Sequence, residues 1–293
     1  MTPPGTADRD GPLDAAAPVR LPDAARTFEA RAARFRDLAR LHAAGPYLEL
    51  LAAVAEGQAL CGRDMSVALD AAALLSPIPL RADSWPRSQA WRHGLDRIVG
   101  RLAGVAAPAE TVATLSRLAG MAVEEIERTA GAVLARGQPP DEAATVFVAA
   151  ALQAYWTSLA ALVPPDRVAG SPAGRCPVCG SPPVSGVVLA SRALRYLSCS
   201  LCATSWHVTR LTCAHCGSPS GLSYYALEGG SPGVKAEACA RCHHYLKLFY
   251  LEQLPGAEPV ADDVASLALD LLMREEGFSR AGTNPFLLSA APR

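Results

Sequence analysis

Eight cysteines fall in four Cys-x-x-Cys pairs within 67 residues: Cys176/Cys179, Cys199/Cys202, Cys213/Cys216 and Cys239/Cys242. A Cys-x-x-Cys turn sets two thiolates about one metal diameter apart, and two such turns face to face complete the tetrahedral four-sulfur shell that zinc or a single iron ion prefers. The chemistry expected of them is metal binding at two sites. The pairs also repeat. Cys176-Pro-Val-Cys-Gly-Ser181 is echoed by Cys213-Ala-His-Cys-Gly-Ser218, and Leu197-Ser-Cys-Ser-Leu-Cys-Ala203 by Glu237-Ala-Cys-Ala-Arg-Cys-His243, with 19 and 22 residues inside the two loops. Sequential assignment groups Cys176, Cys179, Cys199 and Cys202 around one metal and Cys213, Cys216, Cys239 and Cys242 around the other. A cross-braced arrangement, with the first and third pairs on one metal, uses the same cysteines; duplicated modules that each close their own site favour the sequential one.

The neighbours suit this reading. Gly180 and Gly217 follow the second cysteine of their pairs, where a positive φ lets backbone N–H groups turn toward the sulfurs. A divalent ion with four thiolates carries a net charge of about −2, and Arg175, Arg210, Arg241 and Lys235 are near enough in sequence to soften it. Disulfides would need an oxidising compartment. The first ten residues hold no apolar signal core and no stretch reaches membrane-spanning length, so a reduced cytoplasmic setting without membrane insertion is expected. Cys239-Ala-Arg-Cys-His243 has the form of a haem attachment motif, but the other three pairs lack the following histidine. No βαβ unit accompanies the pairs, as a thioredoxin-like dithiol would require. Cys61 stands alone in an Ala/Leu-rich helical stretch and reads as a small buried apolar side chain. His215, His243 and His244 flank ligands and are expected beside the sulfur shell, not in it.

The remaining residues must position these cysteines. With 293 residues, 50% of them hydrophobic, the chain can bury a sizeable core. Residues 1–20, rich in Pro, Gly, Ala and Asp, read as a mobile tail, and 21–170 as a helical domain. Phe28, Ala32, Phe35, Leu38 and His42 recur at three-to-four spacing before Gly45-Pro46 breaks the helix. Further helices are expected at Tyr47–Leu60, Met65–Leu75, Ser88–Leu102, Glu110–Leu118, Val123–Ala135 and Glu142–Leu162, separated by punctuation such as Gly137-Gln-Pro-Pro140. Val168–Gly174 reads as a linker. Then come a first metal ribbon, residues 171–211, a second, 212–256, and a C-terminal helix and tail, 257–293, with the helix at Val260–Glu276. Short strands are expected at Val184–Ala190, Arg195–Ser198, Ser205–Leu211, Leu222–Leu227 and Lys247–Leu251. The fold class is thus a mainly α N-terminal domain followed by two rubredoxin-like or zinc-ribbon-like small β modules and a C-terminal helix.

Trp206, Tyr196, Tyr224, Tyr225, Tyr245, Phe249 and Tyr250 crowd the cysteine region; aromatics in so small a module cover the knuckles and supply its core. Trp206, Tyr245 and Phe249 are also expected to form or support part of a partner-binding surface. Residues 171–256 carry seven Arg and Lys against three Glu, an excess that the thiolates largely cancel. Nucleic-acid binding is therefore not favoured; were the chain a zinc-ribbon adaptor for DNA or RNA, Arg192, Arg195, Arg210 and Trp206 would be its contact set. No nucleophile–base pair, phosphate loop or open-coordination metal motif occurs, so no catalytic residue is assigned and the chain is not expected to be an enzyme. A homo-oligomer is compatible with the sequence.

The helical N-terminal part, the four pairs led by Cys176-Pro-Val-Cys-Gly180, and the closing Glu276-Gly-Phe-Ser-Arg280 with Asn284-Pro-Phe-Leu-Leu288 together resemble the formate dehydrogenase accessory protein family, FdhE. The resemblance covers nearly the whole chain, and its specific part is residues 176–288. It implies a non-catalytic cytoplasmic maturation factor for respiratory formate dehydrogenases that contacts their catalytic subunit. It also implies rubredoxin-like iron at Cys176, Cys179, Cys199, Cys202, Cys213, Cys216, Cys239 and Cys242, so two metal ions are expected, iron ahead of zinc. The cysteine pattern shows no departure from that of the family.

Overall fold

The computed structural model describes residues 17–137, 141–168, 174–189 and 194–287. Most of residues 1–20, 138–140 of the Gly137–Pro140 punctuation, 169–173 of the expected linker, Ala190, Arg192 and Leu288 lie outside them.

Helix α1 (Ala24–Ala39) opens on Asp23, whose carboxylate accepts the Arg26 N–H, and buries Phe28, Ala32 and Phe35 at the spacing read from the sequence. Helix α2 (Gly45–Asp64) begins on the Gly-Pro pair, since a proline in the first turn loses no helical hydrogen bond. Helices α3 (Ala90–Leu102), α4 (Ala109–Ala119) and α5 (Val123–Ala135) each turn one apolar stripe to the core. Helix α6 (Glu142–Ala160) is different: sixteen of its nineteen residues are buried, so it is the axis around which the others pack. It also corrects one expectation, because by length and composition α6 reaches membrane-spanning size; 89% of that window is buried by the surrounding protein.

The helix expected at Met65–Leu75 does not form. Met65 is extended, the Asp70 carboxylate accepts the Ala72 N–H in a local turn, and only Ala73–Leu75 makes a short 3-10 turn. Side chains such as Asp that bond nearby backbone compete with helix in this way. The freed segment runs to the metal region. There Leu80 and Ala82 donate their N–H groups to the carbonyls of Val178 and Cys179, while Trp156 of α6 donates its indole N–H to the Leu80 carbonyl.

The second half is built on one sheet. Its strands are β1 (Val19–Arg20), β2 (Pro183–Leu189), β3 (Leu194–Cys199), β4 (Ser205–His207), β5 (Leu222–Tyr225), β6 (Val234–Cys239), β7 (His244–Tyr250) and β8 (Ser279–Arg280). The order is β1-β4-β3-β2-β7-β6-β5, with β8 beside the first residues of β7. Each ribbon is an antiparallel three-stranded unit, β2-β3-β4 or β5-β6-β7, and the two join by parallel pairing of β2 with β7. The first strand of one repeat therefore meets the last strand of the other. Three expectations change here. Val19–Arg20, at the end of the expected tail, pairs with Trp206 and Ser205. Residues 234–239 are a central strand that had not been expected. The strand expected at Lys247 starts at His244.

The closing helix is split. Helix α7 (Pro259–Ala265) and helix α8 (Leu267–Glu275) meet at Ser266, whose hydroxyl turns back to donate to the Asp262 carbonyl. Helix α1 meets the start of α7, where Arg31 pairs with Glu258 and Arg34 makes a two-pronged pair with Asp262. Leu269 and Met273 of α8 pack on Ala236, Ala238 and Tyr245 of the second ribbon. A single apolar cluster takes in the helical core together with Cys176, Val178, Cys179, Leu197, Cys199, Cys202 and Trp206 of the first ribbon.

Candidate metal centres

The eight paired cysteines come together as two groups of four, Cys176/Cys179/Cys199/Cys202 and Cys213/Cys216/Cys239/Cys242, with all Sγ atoms of a group within 4.8 Å of one another. The grouping is the sequential one. A tetrahedral ion with ~2.3 Å metal–sulfur bonds needs sulfur–sulfur edges of about 3.8 Å. The first group has Cys176 to Cys202 at 3.6 Å and Cys179 to Cys199 at 3.3 Å. In the second, Cys213 to Cys242 is 3.8 Å and Cys216 to Cys239 is 3.9 Å. All-sulfur donor sets at this spacing fit a tetrahedral ion such as zinc or iron.

Local backbone geometry makes the knuckles. In the first turn the Gly180 N–H donates to the Cys176 carbonyl and the Cys176 N–H to the Ser181 carbonyl; in the third, Gly217 and Ser218 repeat this with Cys213. The residue after the second cysteine is left-handed in all four turns: Gly180 at φ +74°, Ala203 at +56°, Gly217 at +72° and His243 at +55°. Two of these positions show in sequence as glycine. The other two are hidden because alanine and histidine accept a conformation that costs a side-chain-bearing residue roughly 1 kcal/mol. Ala203→Gly should therefore stabilise the chain by up to ~1 kcal/mol in chemical denaturation and Gly180→Ala should destabilise it by a similar amount. An opposite ordering would show that side-chain packing, not φ, decides these turns.

The turns aim backbone N–H groups at sulfur: Val178 at Cys176, Leu201 and Cys202 at Cys199, and His215 at Cys213, all 3.3–3.4 Å away. Four crowded thiols divide their protons unevenly. Burial pushes Cys176 and Cys199 well above the usual thiol range. At Cys179 burial acts the same way, but hydrogen bonds from Cys176, Cys199, Cys202 and Ser181 outweigh it and hold the group well below that range. A bound cation would favour the thiolate at every one of them.

The groups differ in surroundings. All four cysteines of the first are buried, whereas in the second Cys216 is exposed and Cys242 half-exposed. His215 and His244 stack at 4.1 Å beside the second group, and His243 lies 6.1 Å from Phe278; no histidine nitrogen belongs to either cluster of donors. Arg175 reaches the Gly180 carbonyl, while Lys235 sits over the Tyr250 ring and not against the sulfurs. Cys61 is buried against Gly94, and burial pushes its thiol up to about 11.

Two expected surfaces are corrected. Trp206 and Phe249 are fully buried and Tyr245 nearly so, because they are the core side chains of their ribbons. Arg195 is also fully buried. It pairs with Glu237 on β6 and donates to the carbonyls of Thr209 and Thr212. Burying a charge is costly unless it is paired and hydrogen-bonded, and Arg195 meets this through both terminal nitrogens while its Nε has no partner among the described residues. The Arg192/Arg195/Arg210/Trp206 contact set is therefore not a surface: Arg195 and Trp206 are internal, Arg210 is half-buried and Arg192 is outside the described residues.

Three domain descriptions match the chain in succession: "FdhE, N-terminal" over residues 16–172, "FdhE, central domain" over 175–210 and "FdhE, C-terminal domain" over 211–287. The chain is 38% identical over 284 residues to the FdhE homolog of Cronobacter sakazakii, covering 92% of this chain and 91% of that protein. It is 40% identical over 271 residues to the homolog of Pectobacterium carotovorum, covering 89% and 87%. The crystal structure of the FdhE protein from Pseudomonas aeruginosa aligns with a TM-score of 0.84 at 34% identity, over 93% of this chain and 99% of that one. A helical half, two four-cysteine ribbons and a closing helix pair, matched end to end by these proteins, establish that the chain belongs to the FdhE family.

Proposed function

We propose that this chain is a non-catalytic maturation factor for a respiratory formate dehydrogenase, acting in the cytoplasm by binding the catalytic subunit, with the eight paired cysteines as ligands of two metal ions. Family membership along nearly the whole chain is the observation that carries the reading, and it supports an accessory role in formate dehydrogenase maturation. When bound, such an ion supplies a rigid four-way crosslink and, if it is iron, a one-electron redox step. A complete sulfur shell has no position left for substrate, in keeping with a binding role.

The residues of this chain then have three tasks. The helical half holds the first knuckle through Leu80, Ala82 and Trp156. The joined sheet holds the two ribbons at a set spacing. Exposed apolar side chains on the metal half supply contact area, and Leu267 and Leu271 of α8, one turn apart and opposite the buried Leu269 and Met273, are the best placed. A factor that must release its client needs weaker affinity for the finished subunit, and a tenfold preference takes only about 1.4 kcal/mol.

Co-purification tests this directly. Tagged protein should retain the catalytic subunit made in cells that cannot insert its cofactors, and retain it at least tenfold less well once the enzyme is complete. Leu271→Asp should weaken retention without changing metal content. A strain lacking the protein that still makes fully active formate dehydrogenase, or purified protein that binds neither form of the subunit, would sink the proposal.

A further inference from the structure

We infer that the two four-cysteine groups are unequal, the first a permanent crosslink of the fold and the second a site that exchanges its metal with solution. The inference rests on the reading of the eight cysteines as metal ligands. It goes further by giving the two sites different behaviour.

Two observations separate them. Access is the first. Cys176, Cys179, Cys199 and Cys202 are at most 3% exposed, while Cys216 and Cys242 of the second group open to solvent on one side and Cys213 and Cys239 stay buried on the other. A competing thiol or chelator can thus reach the second metal position through the Cys216–Cys242 face, whereas the first offers no such face. Support is the second observation. The first group's turns are clamped by the Leu80 and Ala82 N–H bonds and belong to the apolar cluster of the helical half. Ser200 adds a hydrogen bond to the Pro182 carbonyl, and Gln153 of α6 donates to the Ser200 carbonyl. The second group has sheet behind it, since Cys239 ends β6, and Ala214 of its outer turn joins the apolar cluster, but among the described residues the backbone hydrogen bonds of residues 213–218 close within that turn, with no clamp from the helical half like that of Leu80 and Ala82. Segments with few buried contacts open at lower free energy than the core around them, so Cys216 and Cys242 leave the metal first. Each departing thiolate is replaced by one donor from the incoming ligand, and no electron transfer is needed.

The experiment uses the full-length chain reconstituted with zinc, with its metal content measured beforehand; two ions per chain are expected. A large excess of a chromophoric zinc chelator is added, and zinc release is followed by colour. In parallel, aliquots are alkylated with N-ethylmaleimide and the labelled cysteines identified by peptide mass spectrometry. Release should occur in two steps of one zinc each, the first more than about tenfold faster. Labelling of Cys216 and Cys242 should track the fast step while Cys176, Cys179, Cys199 and Cys202 stay protected and the helical circular dichroism holds. Cys216→Ser should abolish the fast step and leave the slow one unchanged. Equal release rates, or early labelling of Cys176 or Cys179, would overturn the inequality while leaving two metal sites standing. A protein that binds no metal under any loading condition would overturn the ligand reading itself.

Discussion

Cys179→Ser is expected to collapse much of the molecule, whereas Cys216→Ser is expected to cost one metal and little else. Both variants should fall from about two metals per chain to about one, since either substitution breaks a four-sulfur shell. The difference lies in what each shell holds. A structural metal of this type supplies on the order of 10 kcal/mol of folding free energy near neutral pH, comparable with the whole net stability of a domain. Cys179 is 1% exposed in the apolar cluster that the helices share, and its carbonyl accepts the Ala82 N–H of the segment that also anchors Trp156 through Leu80. Loss of that metal leaves three buried thiols and a hydroxyl inside the core. Cys216 is exposed, and its loss disturbs a turn on the rim of the sheet. Circular dichroism and urea denaturation measure the contrast. Cys179→Ser should lose helical signal and most of its stability, and Cys216→Ser should keep the helices and the first metal. Equal damage from the two variants would mean that the helical half does not depend on the first ribbon.

The cysteine grouping was legible because the ligands are local pairs inside a duplicated unit, and the periodic helices were legible because α1, α3, α4 and α5 each present one apolar stripe. Strand β6 was not. Val234-Lys-Ala-Glu-Ala-Cys239 has one β-branched residue and a charge at every other early position, yet Glu237 is buried because Arg195, 42 residues earlier, and the Tyr224 hydroxyl both reach it. Local propensity carries no record of such a distant partner. The same holds for β1, whose two residues are a strand only because β4 lies beside them. Residues 65–75 failed in the opposite direction: an Ala/Leu-rich run with good helix propensity stays open because its continuation is recruited to the first knuckle. Trp206 and Arg195 were misplaced outward for one reason. A small ribbon alone has too little volume to bury them, but two ribbons joined through β2 and β7 and covered by α7 and α8 have enough. That joint is parallel and long-range, and nothing in the local pattern signals it.

The charges beneath α7 and α8 give the last large effect. Lys247 and Asp263 are fully buried and paired at 3.1 Å; Lys247 also pairs with Asp270 at 2.7 Å, Arg280 binds both aspartates, and Asn284 donates to Asp263 at 2.8 Å. Arg280 and Asn284, both within the closing motifs, tie residues 279–284 to β7 and α7. Asp263→Ala should destabilise by about 3–5 kcal/mol, because it removes the one fully buried carboxylate from the cluster and leaves Lys247 and Arg280 to share Asp270 alone. Asp64→Ala, which removes the exposed partner of Arg97, should cost less than about 1 kcal/mol. The acid limb gives an independent readout. Burial raises the Asp263 carboxyl, but Arg280 and Lys247 outweigh it and hold the group below the usual carboxylate range. A folded value below the unfolded one, near 3.9, means that the carboxylate contributes its full stability above about pH 5 and loses it as pH falls through the folded value. Stability measured from pH 7 down to pH 3 should therefore fall less steeply for Asp263→Ala than for the parent chain. A variant that matched the parent at pH 7, or one that kept the parent's full acid slope, would show that the pairs around Asp263 do not hold the closing helices in place.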